Sequence, residues 1–584
     1  MALLKFTLFV MGSSSDSTLS YIDIKLHGFW YSPFTVKVKL TLELKGIAYE
    51  NIEEDRLNMS AQVFQYNPVY KRVPVLVHDG KPICESTIIV EYIDQIWPHN
   101  PLLPTDSYER ALVRFWVKYA DDMVPAIGSL AQSSNDEEQE KAIEKIWEHL
   151  RVIEDQCFNN DVKKFFGGDT INIVEIAFGP LVRFIKVLEE ALEVKVLGDE
   201  KFPHLQSWYN NFKDVPVIKE NLPDQNKMVA HKLGGQGLLQ ALEIMREIES
   251  CSQDSSKTFR ENFEETQNLI SIYDSKVLQL EIAYYFLDVV GRHNDSSMFV
   301  KKIQFHGSLY INKANVGLGK YKLDRMTDIK LHGFWYSTFT LSVKWTLKLK
   351  GIPYENIEED RYNKSAQLLQ YNPVYKRTPV LVHDGKPLCE SMIIVEYIDE
   401  IWPQNPLLPT HSYHKALARF WVKYADDTFT LLCFPLLSML IFSAVASLFS
   451  SSNDEEQEKA IEKIWEHLKV VEDRCFSDGK NVFGGDTINI VDIAFGPLIT
   501  LLVVLEDALG VKILDDEKFP HLHSWYNNFK DVPVIKENLP DQDKMSLQAS
   551  TLISAAAIHS GGQRHKRRHI LRAVHVWHAH PSHP

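Results

Sequence analysis

At 584 residues the chain exceeds what one hydrophobic core supports, so length alone asks for about three or four domain-sized units. A hydrophobic content of 45% with 24% charged residues is ordinary for soluble globular proteins, and a net charge of -15 excludes nucleic acid as the main partner, because phosphate binding needs a basic face. Six cysteines in so long a chain exclude a disulfide framework; four of them recur as repeat-related pairs, Cys84 with Cys389 and Cys157 with Cys475, and imply a reducing compartment.

In chain order, residues 1–21 come first. The apolar run Ala2 to Met11 is short, contains Lys5 and has no basic segment before it, so it reads as an extension rather than a secretory signal. A repeat follows. Asp23-Ile-Lys-Leu-His-Gly-Phe-Trp-Tyr-Ser recurs at Asp328, 305 residues on, without a gap as far as Ala120-Asp121-Asp122 and Ala425-Asp426-Asp427. After a break, Asn135 matches Asn453 and Phe166-Gly-Gly-Asp matches Phe483-Gly-Gly-Asp, and the likeness ends near Leu222-Pro-Asp-Gln and Leu539-Pro-Asp-Gln. A period this long is a duplicated domain, since solenoid units run roughly 20–50 residues.

Within each copy, Ile24 to Gly28 is a strand candidate. Thr35 to Lys45 reads as a helix with Val36, Leu40 and Leu44 on one face and Gly46 at its end. Val75-Leu-Val-His before Asp79-Gly80 is a strand entering a hairpin, and Ser86 to Ile96 is the next helix. The order β-α-β-α-β-β-α describes a small α/β sandwich. From Ser107 the text is helical: Glu109–Asp122, Asp136–Glu154, Ile173–Leu192 and His204–Asp214. The fold class is therefore α/β followed by all-α, twice.

Three corners carry chemistry. Ser32, in Trp30-Tyr31-Ser32-Pro33-Phe34, stands where the first strand gives way to a helix; it is either an N-cap or a hydroxyl that donates to an anion at the positive end of the dipole. No cysteine occupies that corner, which disfavours disulfide exchange. At Arg72-Val73-Pro74, the proline either opens an edge strand or follows a cis bond that exposes the Val73 backbone to a ligand. Cys84-Glu85-Ser86 is either a capping arrangement or a grip for an amino-acid-like ligand, held at its carboxylate and its amine.

Taken in order, Trp-Tyr-Ser-Pro-Phe, Asn67-Pro-Val-Tyr-Lys-Arg-Val-Pro-Val-Leu, Gly80-Lys-Pro-Ile-Cys-Glu-Ser, Asn100-Pro-Leu-Leu-Pro and Arg114-Phe-Trp resemble a plant tau-class glutathione S-transferase, twice over. Phe166-Gly-Gly-Asp and an Asn172 to Glu175 capping box resemble its helical domain. The resemblance implies a thioredoxin-like glutathione-binding domain and a helical domain in each copy. It implies that Ser32 and Ser337 stabilise the glutathione thiolate. It places the glutathione backbone at Val73 and Thr378, and its γ-glutamyl end at Glu85 and Ser86 or Glu390 and Ser391. The family's lysine for the glycyl carboxylate is matched by Lys364, but copy one has Met59 there; Thr338 replaces the proline after Ser337.

The implied activity is conjugation of glutathione to hydrophobic electrophiles, in cytoplasmic detoxification and stress response. Glutathione is a co-substrate, with no metal and no other cofactor. Neither nucleic acid nor membrane is expected as a partner, and subunit-like pairing is expected, within the chain or between chains. A non-catalytic carrier of hydrophobic ligands or glutathione adducts is the alternative.

The expected domains are 22–101 and 327–406, thioredoxin-like, and 107–230 and 412–545, helical, with a linker at 231–326 and an unrelated tail at 546–584. Thr428 to Phe449 is uncharged and apolar and reads as a mis-joined segment, a membrane anchor or an apolar insertion. Met326-Thr-Asp-Ile-Lys-Leu resembles the start of a free-standing subunit, as though two neighbouring genes were read as one. The tail's Arg564-His-Lys-Arg-Arg-His cluster reads as a spurious or disordered tail rather than a nuclear or metal-binding tract.

Overall fold

The computed structural model describes residues 23–158, 164–198, 200–234, 328–361, 363–433, 454–476, 483 and 487–547. The readings on the N-terminal extension, most of the linker, the apolar run beyond Cys433 and the tail lie outside the described residues.

Copy one begins with β1 (Ile24–Gly28), α1 (Pro33–Leu44), β2 (Glu50–Glu53), α2 (Ala61–Tyr66), β3 (Val75–His78), β4 (Lys81–Cys84) and α3 (Ser86–Ile96). The strands lie in the order β2-β1-β3-β4, with β1 parallel to β2 and antiparallel to β3, and β3 antiparallel to β4. Copy two repeats this sheet with registers shifted by the same offset. Helix α1 starts well because Pro33 fixes φ at a first-turn position whose N–H has no partner anyway, and it stops at Gly46, whose φ of +62° suits a residue without Cβ.

Then come α4 (Ser107–Asp122), α5 (Val124–Gln132), α6 (Asp136–Cys157), α7 (Ile173–Ala191), α8 (Pro203–Lys213), α9 (Pro216–Asn221) and α10, over 225–234. Helix α1 lies between α3 and α7, so its apolar residues serve both halves: Val38 and Leu42 belong to the sheet's core, and Val36 and Leu40 to the helical one. The Asn172 capping box is present: Asn172 accepts from the Val174 N–H at 2.6 Å, and Glu175 accepts from the Asn172 N–H at 2.7 Å. In copy two Asn489 and Asp492 make the equivalent box.

The two copies pack against each other. Helix α3 lies along Ser412–Cys433, and α4 along Ser391–Ile401. Tyr70 inserts between copies, its ring 5.5 Å from Phe420 and 5.9 Å from Tyr424, and its hydroxyl donates to Asp427 at 2.7 Å. Tyr375 repeats this from the other side, 5.5 Å from Phe115 and donating to Asp122. Such a reciprocal contact is the isologous kind that twofold pairing produces.

At its centre four charges form a square. Arg114 meets Glu91 of its own copy at 2.9 Å and Glu396 of the other at 3.3 Å; Arg419 meets Glu396 at 2.6 Å and Glu91 at 2.9 Å. Arg114 also reaches Glu400 at 2.8 Å. Burial by itself pushes Glu91 and Glu396 up, but the two guanidiniums more than offset it and hold both carboxyls below their ordinary range.

Removing one cation leaves a buried carboxylate uncompensated, so Arg419→Ala is expected to cost about 3–5 kcal/mol, read as a lowered denaturant midpoint. An unmoved midpoint would show the square to be energetically neutral. The depressed carboxyls also set the acid limit. Their contribution is complete above the unfolded carboxylate value of about 4.3 and is lost as pH falls through the folded value, about 2 for Glu396. Acid titration followed by scattering is expected to show the copies separating within that window and not above it.

Candidate functional site

Strand register gathers the three corners. His27 pairs with Val75, and Val75 with Cys84, so the end of β1, the start of β3 and the end of β4 lie at one edge of the sheet. Gly28 pairs with Glu53 in β2, which brings the loop 54–60 to the same edge. Ser32, Val73, Glu85, Ser86 and Met59 therefore converge although 54 residues separate the first from the last.

Ser32 is the N-cap of α1, 8% exposed, and its hydroxyl makes no bond to its own helix, which leaves it free for another partner. Ser337 differs: its hydroxyl accepts from the Thr340 N–H at 3.3 Å and caps its helix. The N-cap bond of this corner is thus made in copy two and not in copy one. Gly28 has to be glycine, because a Cβ there would come within 2.3 Å of the Thr35 side chain.

The Val73–Pro74 and Thr378–Pro379 bonds are both cis. The loop before them is anchored by a buried pair. His27 bonds Glu54 at 2.8 Å, and Glu54 accepts from both the N–H and the hydroxyl of Ser60, each at 2.8 Å. His332, Glu359 and Ser365 do the same in copy two. Met59 therefore sits in a well-fixed loop without a charge to offer. Its counterpart Lys364 donates to the Lys376 carbonyl at 2.7 Å, beside Thr378.

Glu85 and Glu390 precede their helices with φ of +70° and +71°, a region that residues with a Cβ rarely adopt. Ser86 and Ser391 follow as the buried first residues of those helices. Burial raises both glutamates above the ordinary carboxylate range, and a lysine of the opposite copy opposes the rise. Lys423 lies 3.8 Å from Glu85, and Lys118 lies 3.6 Å from Glu390. Each Glu-Ser corner thus meets a lysine of the opposite copy. No local motif announced those lysines; the signal in the sequence was their common offset of 305.

A second asymmetry lies beside these corners. Asp121 is paired with Lys37 at 3.1 Å, but Ser342 stands at the matching place in copy two. Asp426, the counterpart of Asp121, is pushed up to about 7 by burial, with Lys118 opposing and Glu390 reinforcing. Cys84 and Cys389 are pushed up to about 12, by burial and then by the adjacent glutamate, and burial likewise pushes Cys157 and Cys475 well above the ordinary thiol value. Thiols held so strongly protonated are poor nucleophiles.

Among the described residues no helix is long and apolar enough to cross a membrane, and no cluster of three or more His, Cys, Asp or Glu could hold a metal ion.

A four-stranded mixed sheet with an N-cap serine, a cis-proline and a Glu-Ser helix start at one edge, followed by helices alone, defines a thioredoxin-like domain joined to a helical one. Two family models agree, each matching twice: Glutathione S-transferase, N-terminal domain, at 22–95 and 327–400, and Glutathione S-transferase, C-terminal domain, at 136–211 and 454–528. A probable glutathione S-transferase of Nicotiana tabacum is 43% identical over 220 residues, 38% of this chain and 92% of that protein. Glutathione S-transferase U4 of Arabidopsis thaliana is 39% identical over 210 residues, 36% of this chain and 92% of that protein. The crystal structure of a tau-class glutathione S-transferase from mango is 38% identical, with a TM-score of 0.34, covering 36% of this chain and 98% of its own. The chain belongs to the glutathione S-transferase family and carries both of its domains twice, with its likeness to the tau class of plants.

The φ of Glu85 gives a test. Holding a residue with a Cβ in that region costs about 1–3 kcal/mol, and glycine's added freedom when unfolded returns roughly 0.5–1. Glu85→Gly is therefore expected to raise the denaturant midpoint while weakening glutathione binding in calorimetry. A lowered midpoint would mean that the Glu85 contact with Lys423 outweighs the strain.

Proposed function

We propose that the chain conjugates the glutathione thiolate to hydrophobic electrophiles, with Ser32 and Ser337 as the thiolate-stabilising hydroxyls. The observation that carries this is the buried Ser32 hydroxyl, unbonded to its own helix, at an edge shared with the cis-proline and the Glu85–Ser86 corner.

An ordinary thiol has a pKa of about 8.5, so only a few per cent is thiolate at neutral pH. Lowering it by about two units takes roughly 2.7 kcal/mol. A hydrogen bond to the charged sulfur contributes about 1.5–3 kcal/mol, and the end of α1 adds about 0.3–1. Together these suffice. The sulfur then attacks a carbon held beside it, expelling the leaving group; proximity and thiolate activation do the work, without a metal or redox cofactor.

In this reading Val73 and Thr378 present backbone to glutathione. Glu85 with Ser86, and Glu390 with Ser391, hold its γ-glutamyl end. Lys364 meets the glycyl carboxylate in copy two only. A cytoplasmic role in detoxification and stress response follows from the same reading.

Turnover of 1-chloro-2,4-dinitrobenzene with glutathione tests it. Ser32→Ala with Ser337→Ala is expected to lower kcat/KM roughly 10- to 150-fold and to move the pH–rate midpoint up toward about 8.5. An unchanged rate would remove both serines from the mechanism. With copy two silenced by Ser337→Ala, Met59→Lys is expected to lower KM for glutathione about two- to fivefold, the worth of one exposed ion pair.

A further inference from the structure

We propose that the helix Ser412–Cys433 begins on a histidine cap that mild acid releases, so that one end of the interface between the copies loosens while the other holds.

The first N–H groups of a helix lack partners within it, and a side chain just before the helix commonly accepts from one of them. In copy one that side chain is Asp106, which accepts from the Glu109 N–H at 2.9 Å. In copy two His411 stands in its place. The His411 carbonyl accepts the first helical bond, from the Lys415 N–H at 2.9 Å, and its ring Nδ1 accepts from the Tyr413 N–H at 3.2 Å. A ring nitrogen accepts only when it carries no proton, so this bond requires the neutral imidazole. Protonation turns Nδ1 into a donor and sets a cation at the positive end of the helix dipole. A carboxylate cap keeps its acceptor oxygens until far lower pH.

The next turn reinforces the effect. His414 stands where copy one has Glu109, and its ring lies 5.1 Å from that of His411 and 5.9 Å from that of Tyr413. Lys81, in β4 of copy one, lies 5.5 Å from the Tyr413 ring. His414 is held below the ordinary histidine value, by burial first and then by His411 and Lys81. A depressed histidine contributes stability that is complete above its unfolded value, about 6.5, and is lost as pH falls through the folded one.

The charged groups of the packed elements have other partners. In β4 the Cys84 thiol stays protonated. Beside that strand, Asp79 lies 3.7 Å from His78, which also bonds Tyr92 of α3 at 2.7 Å. On α3, Glu91 meets Arg114 at 2.9 Å and Asp94 meets Lys45 at 2.6 Å. From Ser391–Ile401, Glu396 meets Arg419 at 2.6 Å and Glu400 meets Arg114 at 2.8 Å. In Ile490–Leu509, Asp492 closes its own capping box, Glu506 accepts from the Ile513 N–H at 2.6 Å, and Asp507 accepts from the Ser546 hydroxyl at 2.8 Å. Lys415 adds a further positive charge on the helix itself.

The opposite end of the interface is built differently. There Arg110 meets Glu400 at 3.0 Å, the Tyr108 hydroxyl donates to the Pro387 carbonyl at 3.1 Å, and Lys386 lies 5.1 Å from the Tyr108 ring. Gln95 stands where Glu400 does, so the Arg110–Glu400 pair has no counterpart at Lys415. Because the square grips the helix at Arg419, the loosening is confined to the turns before it, and the copies stay joined.

Hydrogen exchange on the full chain tests this, comparing segments 412–418 and 107–113 of the same molecules at about pH 7.5 and about pH 5.5, each corrected for its intrinsic rate. At the lower pH, protection of 412–418 is expected to fall about fivefold relative to 107–113, the worth of one N-cap bond. His411→Asp/His414→Glu, which installs the residues of copy one, is expected to abolish the fall, and Asp106→His/Glu109→His to impose it on 107–113. His411→Asn keeps an acceptor at every pH and is expected to remove most of it. A ratio that does not change with pH overturns the proposal. So does a fall that persists undiminished in His411→Asn or in His411→Asp/His414→Glu, since the titrating group would then lie elsewhere.

Discussion

The square of Arg114, Glu91, Arg419 and Glu396 is the constraint on which the rest depends. Taking each charge out of water costs several kcal/mol, and the cost is met only where every charge finds opposite partners. Neither copy meets it alone, because the second cation that faces each carboxylate comes from the other copy. The square also lies in the middle of the helices that carry the site. The start of α3 bears Glu85 and Ser86, and the last turns of α4 bear Lys118, Asp121 and Asp122. Docking α3 against Ser412–Cys433 therefore does more than bury apolar surface: it sets Lys423 against Glu85 and Lys118 against Glu390.

Within that frame the copies are not equivalent, and the differences follow single residues. Pro33 in copy one corresponds to Thr338 in copy two, and the Ser32 hydroxyl is unbonded to its helix where Ser337 caps. Lys37 neutralises Asp121, whereas Ser342 leaves Asp426 to share Lys118 with Glu390. Met59 lacks the charge that Lys364 keeps. These substitutions surround one constellation, so they change its charges and hydrogen bonds without altering the sheet that presents it.

Much of this was legible in the sequence, because it is local. Ile24 to Gly28, the Asp79-Gly80 hairpin, the helix over Ser86 to Ile96 and the Asn172 capping box each rest on neighbouring residues, and each appears as read. Helix limits shifted by a few residues, as fraying ends do; the helix read from Glu109 begins at Ser107. Helices α5 and α9 were not singled out, since nine and six residues carry too little period to stand out. The clusters that matter most were invisible for a different reason. Glu91 and Glu396, or Tyr31 and His231, are far apart in the chain and carry no spacing that announces contact.

Joining two such domains in one chain changes what their interface permits. Separate subunits pay translational and rotational entropy to associate, and any change in one must suit an identical partner. Tethered copies pay much less, because the partner is held at high effective concentration. Each copy also meets the same, different partner every time. A residue that would clash or go unpaired across a symmetric interface needs only one complement here. The Lys37–Asp121 pair against Ser342 and Asp426 is a divergence of that kind. The shared square holds the copies together, and so leaves the surrounding positions free to diverge.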